Sequence, residues 1–492
     1  MITINKPLTL ILTLNAFFLF ILVADETSRN NFGKLGATLQ SAPLEFKIII
    51  NVFFIFTIFL VYLFLKYFFE LDLSEHGILK KYHKQILIIC LTIFCFMPAA
   101  IFTGYKYGLI DSYFRFFGVG HIKPNFVDLR GTLAAITKVS EVGEGYQIDC
   151  PNKPCIGWRW TYGSSILKLK NLGIFTESAT YIFAFILFII FLYVVFRMSY
   201  NIRSSIVFLA LIPTGTLMLI IERMNIDIIL IFLIYYLAHT IHKHHIFLLI
   251  APIFIFIAAT VKYYPLILMI PLIVLVQSKK FRVYYGFISL AGMLYIIPEL
   301  KLAGIENFSY GYSATYGLKN LIGLINGNSE PTIVVNFLTF IGFLFFLYIT
   351  YYIFTNYKLS TRNDQQSVSN FSLYLFGFVV LLSSWLVNSN YPYRLICVLP
   401  MVPFLVDSYN NNKDTVLTGL SCIVIFFGSI PVTLSPVRNL TLCGYIAINL
   451  GILLKVYYKR KINLNFPNLN LLHTKIPKYN FRKYTSEFIR TV

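Results

Sequence analysis

Residues 219–232, LIIERMNIDIILIF, place four polar side chains between two apolar runs: Glu222, Arg223, Asn225 and Asp227. On insertion scales each Asp, Arg or Lys costs roughly 2.5–3.5 kcal/mol at the centre of a bilayer. The segment therefore predicts either a turn between two membrane helices, tied by its own salt bridge, or a polar lip that orients a phosphate or a sugar. If a helix continues through it, Arg223 and Asp227 pair at i,i+4, and Glu222 and Asn225 share one face.

Two further segments carry residue types suited to group transfer. Asp128 lies in KPNFVDLRG near Arg130, where a carboxylate at the membrane surface can take a proton from a hydroxyl, or is simply an exposed loop acid. Lys262 lies in VKYYPLILMIPLI, before Tyr264 and before Pro265, which is favoured in the first turn of a helix. A lysine there is a point charge suited to a lipid-linked phosphate, or it snorkels to the headgroups.

Arg394 and two cysteines complete the set of candidate residues. Arg394 ends the polar stretch NSNYPYR, and an arginine can clamp a phosphate through two parallel hydrogen bonds or serve as an interfacial anchor. Cys150 and Cys155 bracket PNKP in a polar loop. If that loop is extracytoplasmic, the spacing favours a small disulfide ring over two free thiols.

The composition predicts that a membrane is the solvent of this chain. The 492 residues are 57% hydrophobic and 13% charged, and the mean hydropathy is +0.72. A soluble domain carries about 25% charged residues, so this chain has more apolar side chains than a soluble core can bury. The expected fold class is all-α, a polytopic transmembrane helical protein. Aromatic residues, 17% of the chain, suit belts at the membrane interfaces.

Apolar runs of spanning or nearly spanning length predict about 14 membrane helices. They fall near 7–24, 48–66, 85–104, 178–197, 204–221, 227–241, 245–261, 263–277, 282–299, 333–355, 371–387, 393–408, 415–432 and 439–457.

Lysine and arginine in the short links predict the orientation. KKYHK (80–84), SKKFR (278–282) and the other basic links fall on one side of this arrangement, which the positive-inside rule makes cytoplasmic. Both termini are then cytoplasmic, and the longer segments 105–177 and 300–332 lie outside. Every candidate residue above then lies near the outer face.

Several function classes are disfavoured. The formal net charge of +20 is spread over short links and a basic tail, a pattern that argues against nucleic acid and for contact with membrane lipid. The sequence has no Gly-rich phosphate loop, which disfavours an ATP-driven pump, and no D-x-D pair, which disfavours metal-dependent use of a nucleotide sugar. HKHH (242–245) has metal-binding residue types, but its place in a basic link favours a role in orientation. No cofactor is firmly implied, and the divalent-metal requirement stays open.

Five segments, in this order, together resemble a known family. They are DLRG, then ITKVSEVGEGYQIDC with WRWTYGSSILKL, then IIERMNIDIILIFL, then AATVKYYPLILMIPLIVL, and finally YRLICVLPMVPFL. The set resembles the integral-membrane glycosyltransferases of the GT-C type. The nearest group is family 87, which includes polyprenyl-phosphate-mannose-dependent mannosyltransferases. The resemblance spans about residues 85–410, and its most specific parts are the E-R-x-N-x-D turn and the K-x-Y-P helix start.

The resemblance implies a reaction and a role for most of the candidate residues. In that family a sugar passes from a polyprenyl-phosphate carrier to an acceptor on the extracytoplasmic side, with an acidic residue of the first long outer loop as base. Here that base is Asp128, with Glu222 or Asp227 as alternatives. Lys262 and Arg394, together with Arg223, are implied to hold the carrier phosphate. Arg130, Glu222, Asn225, Asp227 and Tyr264 complete the set of candidate substrate-binding residues.

These inferences define the expected organisation and function. We expect an N-terminal helix pair (1–84), a GT-C-like catalytic membrane core (85–410), C-terminal helices (411–458) and a basic cytoplasmic tail (459–492). The expected protein is a hexosyltransferase of cell-envelope glycan or glycolipid synthesis in a bacterial inner membrane, with a glycan or lipid acceptor. The alternatives are a polymerase, ligase or flippase acting on lipid-linked glycans, or a transporter.

Overall fold

The computed structural model of this chain describes residues 126–146, 158–211, 215–241, 245–276, 278–303, 333–356, 365–387, 392–412 and 442–455, with part of 82–92. These residues are mostly helical. The α-helices are α1 Val127–Lys138, α2 Ser164–Leu167, α3 Thr180–Met198, α4 Ile202–Leu211, α5 Gly215–Arg223, α6 Asp227–Thr240, α7 His245–Val261, α8 Met269–Leu275, α9 Lys279–Ala303, α10 Ile333–Asn356, α11 Gln365–Val387, α12 Val402–Asn412 and α13 Leu442–Lys455.

Short 3-10 helices and one two-stranded sheet connect the α-helices. The 3-10 helices are Lys168–Leu172, Glu177–Ala179, Tyr264–Leu268 and Pro392–Met401. Strands β1 (Gly145–Tyr146) and β2 (Trp158–Arg159) pair antiparallel, with Tyr146 opposite Trp158. Both strands lie between α1 and α2 in the sequence.

Three helices in the described part are long and apolar enough to cross a membrane: Glu177–Met198, Lys279–Leu302 and Gln366–Leu386. They coincide with three of the predicted spans. The predicted span 204–221 corresponds to α4 and α5, and residues 212–214 between them lie outside the description. The predicted span 263–277 starts as the 3-10 helix Tyr264–Leu268 and continues as α8, and Pro265 lies in its first turn, as the sequence predicts. The predicted spans at 7–24, 48–66 and 415–432 lie outside the described residues.

Burial separates a central helix from a peripheral one. In α11, 83% of the apolar stretch is buried inside the protein. This helix packs against α6, α12 and the 3-10 helix Pro392–Met401. In α9 only 22% of the apolar stretch is buried inside the protein. Four of its apolar side chains are each more than half exposed: Val283, Phe287, Leu290 and Leu294. An apolar face of this length is costly in water, so it fits a helix whose outer side meets lipid.

Polar contacts collect at two opposite ends of the helices. At one end the Lys84 ammonium lies 5.0 Å from the centre of the Phe196 ring, and Arg197 Nε donates to the Tyr235 hydroxyl at 3.1 Å. Lys84 and Arg197 belong to basic links that the positive-inside rule predicts to be cytoplasmic. The other end of α3 begins at Thr180, beside the 3-10 helix that contacts α1.

The close packing of α11 gives a test of this arrangement. A Cβ at Gly377 meets the Cys397 carbonyl oxygen at 2.6 Å, whereas a Cβ at Gly342 on α10 meets nothing within 4 Å. Gly377→Ala should therefore destabilise the protein by about 1–3 kcal/mol through overpacking. Gly342→Ala should be neutral or stabilising by up to about 1 kcal/mol. Thermal unfolding of the purified variants in detergent measures the difference, and equal shifts for both would contradict the packing.

Candidate functional site

The helix stops and restarts within the segment that carries Glu222 to Asp227. Helix α5 ends at Arg223, α6 begins at Asp227, and Met224 between them has φ 46°. Phe126, directly before α1, has φ 56°. In the described part these are the non-glycine residues with positive φ, a conformation that costs of order 1–3 kcal/mol each and clusters at functional sites. The helix on which an i,i+4 pair of Arg223 with Asp227 depends therefore does not continue through them.

Asn225 sits in this break and joins three parts of the chain. It is 1% exposed, and its Nδ2 donates to Asp128 Oδ2 at 2.7 Å. Its Oδ1 accepts from Lys262 Nζ at 2.9 Å and from the backbone N–H of Asp227 at 3.0 Å. The amide thus uses its donor and acceptor sides for different partners, and this fixes its orientation. Asn225 places Asp128 and Lys262 on either side of one amide group.

Lys262 is held inside the protein rather than at its surface. Its ammonium forms a salt bridge with Asp227 Oδ1, which also accepts from the Tyr264 hydroxyl. Lys262 and Asp227 are 6% and 2% exposed. The expectation that Lys262 snorkels to the headgroups is therefore wrong, because its charge is already matched by a buried carboxylate. Its role as a direct phosphate ligand stays a prediction.

Asp128 and Arg223 are the least buried charged side chains of the network. Arg223 Nη1 lies 3.5 Å from Asp128 Oδ1, and Arg223 Nε lies 2.7 Å from Glu222 Oε2. The side chains of Asp128 and Arg223 are 11% and 14% exposed, whereas Glu222 is fully buried. Burial raises the pKa of Asp128, and the Arg223 charge and the Asn225 hydrogen bond act against that rise. Asp128 is thus a carboxylate with a raised pKa and a partly open edge.

The network carries more acids than bases. Asp128, Glu222 and Asp227 are opposed by Arg223 and Lys262, so its formal charge is −1 when every group is ionised. A phosphate bound here needs further positive charge or protonation of an acid.

An aromatic wall (Tyr146, Trp160 and Tyr162) closes one side of the network. The Tyr162 ring centre is 5.0 Å from Lys262 Nζ and 5.0 Å from the Trp160 ring, which in turn lies 6.4 Å from Tyr146. Burial, followed by the nearby charge of Asp128, raises the pKa of Tyr146. Sequence reasoning missed this wall, although the WRWTY run at 158–162 was the available signal.

The other predicted residues lie apart from the network or outside the described part. Arg130 Nη1 bonds Glu177 Oε1 at 3.2 Å, and Lys138 Nζ lies 3.7 Å from Oε2 of the same residue. Arg130 is therefore directed towards a different carboxylate. The backbone of Arg394 belongs to the 3-10 helix Pro392–Met401, which packs against α5, while its side chain falls outside the description.

Cys150 and Cys155 also lie outside the described residues. Within the ranges that the structure covers, no group of three His, Cys, Asp or Glu side chains is placed to hold a metal ion. Comparison with protein-family models, curated proteins and solved structures finds no match to this chain.

The buried ion pair gives a test by double substitution. Asp227→Asn leaves the Lys262 ammonium without its counter-charge and should cost about 3–5 kcal/mol of unfolding free energy. Adding Lys262→Met removes the stranded charge, so the double variant should be more stable than Asp227→Asn alone. Lys138→Gln, at an exposed ion pair, should cost less than about 1 kcal/mol. Denaturation in detergent measures all three, and simple additivity of the two buried substitutions would contradict the pairing.

Proposed function

We propose that this protein is a membrane glycosyltransferase that moves a sugar, such as mannose, from a polyprenyl-phosphate carrier to an acceptor hydroxyl outside the cytoplasm. The single observation that supports it most is the position of Asp128. Its carboxylate is held by Asn225 and Arg223 at a strained helix break, at the end of the helices opposite the basic links. The resemblance of the segments within 128–169 and at 220–233, 258–275 and 393–405 to GT-C enzymes supports the same reaction.

In the proposed reaction Asp128 acts as general base. Its carboxylate takes the proton of the acceptor hydroxyl while the acceptor oxygen forms a bond to the anomeric carbon of the sugar. The bond between that carbon and the phosphate oxygen breaks on the opposite side, and its electron pair leaves with the polyprenyl phosphate. The anomeric configuration is inverted, and no covalent enzyme intermediate is required.

The cations divide into two roles in this proposal. We assign Arg223, which is partly exposed beside Asp128, to the departing phosphate, because a guanidinium can donate two parallel hydrogen bonds to it. Lys262 acts from behind, because it fixes Asp227 and Asn225 and thereby the carboxylate of Asp128. Since the network is acidic by one charge, Arg394 is our further candidate for phosphate binding.

One observation favours a second candidate, a transporter. Transporters bind substrates and coupling ions at interrupted helices, and Asp227, where α6 starts after the break, is paired with the buried Lys262 that follows α7. A transporter reconstituted in vesicles moves its solute without forming a glycosidic bond. Chemical transfer from a labelled lipid-linked sugar therefore separates the two functions.

The first functional prediction concerns the base itself. Asp128→Asn keeps the shape of the side chain and removes its basicity, so transfer from a radiolabelled polyprenyl-phosphate sugar should fall by at least about 100-fold. Glu141→Gln, an exposed acid beyond the other end of α1, should leave transfer unchanged. Transfer by Asp128→Asn at the wild-type rate removes Asp128 from the role of base.

The pH dependence of sugar transfer supplies a second test. A base works only when ionised, so kcat/KM should fall as pH drops below the pKa of Asp128. The charge of Arg223 lowers the pKa of Asp128, so this pKa rises in Arg223→Gln. The acidic limb of the plot of kcat/KM against pH should therefore move to higher pH. Lys138→Gln, which alters a charge at Glu177, should leave the limb in place. An unmoved or lowered limb in Arg223→Gln would contradict the pairing of Arg223 with Asp128.

A further inference from the structure

The residues directly after Tyr162 make a cluster of buried polar contacts that the proposed reaction does not use. Gly163 donates its backbone N–H to the Val261 carbonyl at 3.0 Å. A Cβ at position 163 stands 1.8 Å from the Thr260 carbonyl oxygen, so only glycine fits between the loop and the end of α7. The loop is therefore pressed directly against the backbone that leads into Lys262.

Glu299 of helix α9 holds the next residue of this loop. Its carboxylate accepts from the backbone N–H of Ser164 at 3.3 Å and from the Ser164 hydroxyl. The Tyr295 hydroxyl, one turn earlier on α9, lies 3.0 Å from the hydroxyls of both Ser164 and Ser165. Glu299 is 8% exposed. We name Ser164, Ser165, Tyr295 and Glu299 the Glu299 cluster.

The Glu299 cluster fixes where Tyr162 lies. Gly163 is bonded to α7 and Ser164 to α9, so the residue before them has little freedom. Tyr162 then covers Lys262 from one side at 5.0 Å, while Tyr264 covers it at 5.6 Å. A covering ring excludes water from the ammonium and strengthens its interaction with Asp227, because charges interact more strongly at low dielectric.

We infer that Glu299 is a positioning residue: through Ser164 it holds Tyr162 over Lys262 and so keeps the Asp128 network shielded from water. Its effect on catalysis rests on the proposed function, whereas its effect on the shielding of Lys262 does not.

The direct test is the reactivity of Lys262 towards a water-soluble, amine-reactive ester, measured by mass spectrometry on the purified full-length protein. Lys262 should be protected in the wild type and modified about ten-fold faster in Glu299→Ala, since the loop loses its buried acceptor. Glu299→Gln retains an acceptor oxygen and should remain within about two-fold of the wild type. Ile297→Ala, at a half-exposed position on the same helix, is the control for general loosening.

Ser164→Ala supplies a milder variant should Glu299→Ala fail to fold. It removes only the hydroxyl donor, so labelling of Lys262 should rise about three-fold in a protein whose thermal unfolding is nearly unchanged. Unchanged labelling in Glu299→Ala, or in Ser164→Ala where the former does not fold, overturns the inference. Equal increases in Glu299→Ala, Glu299→Gln and Ile297→Ala overturn it as well, because they report loosening rather than a specific hydrogen bond.

Transfer kinetics distinguish this inference from the proposed function. If the wild type transfers sugar, Glu299→Ala should lower kcat about ten-fold with KM nearly unchanged, and Glu299→Gln should restore kcat. If the wild type transfers no sugar from any polyprenyl-phosphate donor, the proposed function fails while the labelling result still decides the role of Glu299. A lowered kcat without a change in Lys262 labelling would overturn the inferred shielding.

Discussion

The buried ion pair between Lys262 and Asp227 constrains every polar group at the Asp128 end of the helices. Two charges removed from water lose several kcal/mol of solvation each, so such a pair persists only when further hydrogen bonds satisfy it. Asn225 supplies an acceptor to Lys262, and Tyr264 supplies a donor to Asp227. Since Asn225 is committed to Lys262 on one side, its other side has a fixed direction, and that direction is towards Asp128. The position of the candidate base thus follows, through Asn225, from the buried pair.

The same constraint explains the strained backbone. Asn225 reaches both Asp128 and Lys262 only because the helix stops at Arg223 and turns through a left-handed Met224. A left-handed bulky residue is unfavourable by itself, so its cost is offset by the contacts that the turn permits. Phe126 adopts the same conformation directly before α1, which carries Asp128 in its first turn. Both partners of the bond between Asp128 and Asn225 are therefore presented by strained segments, as expected of a site arranged for chemistry.

The lengths of the hydrophobic runs predicted the helices well, whereas the sequence predicted the contacts of the candidate site less well. The predicted span 178–197 coincides with α3, because a long apolar run in lipid must satisfy its backbone N–H and C=O groups internally, and a helix does so. The burial of Lys262 and the partner of Arg130 were not predictable, since each depends on a residue 35 to 47 positions away in sequence. The stop at Arg223 was predicted, because the polar run from Glu222 to Asp227 indicates a turn between the apolar runs 204–221 and 227–241, although neither glycine nor proline stands there. Glu299 was missed for a related reason: a single acid near the end of an apolar helix resembles an ordinary interfacial residue.

The central claim is that the Asp128 network faces outwards, opposite the basic links. In a variant lacking the seven native cysteines, single cysteines at Ser178 and at Lys280, both exposed, report the two ends. A membrane-impermeant thiol reagent added to intact cells should modify Ser178→Cys and leave Lys280→Cys unmodified until the membrane is opened. Modification of Lys280→Cys alone, from outside, would place the Asp128 network in the cytoplasm and contradict transfer from an extracytoplasmic lipid-linked sugar.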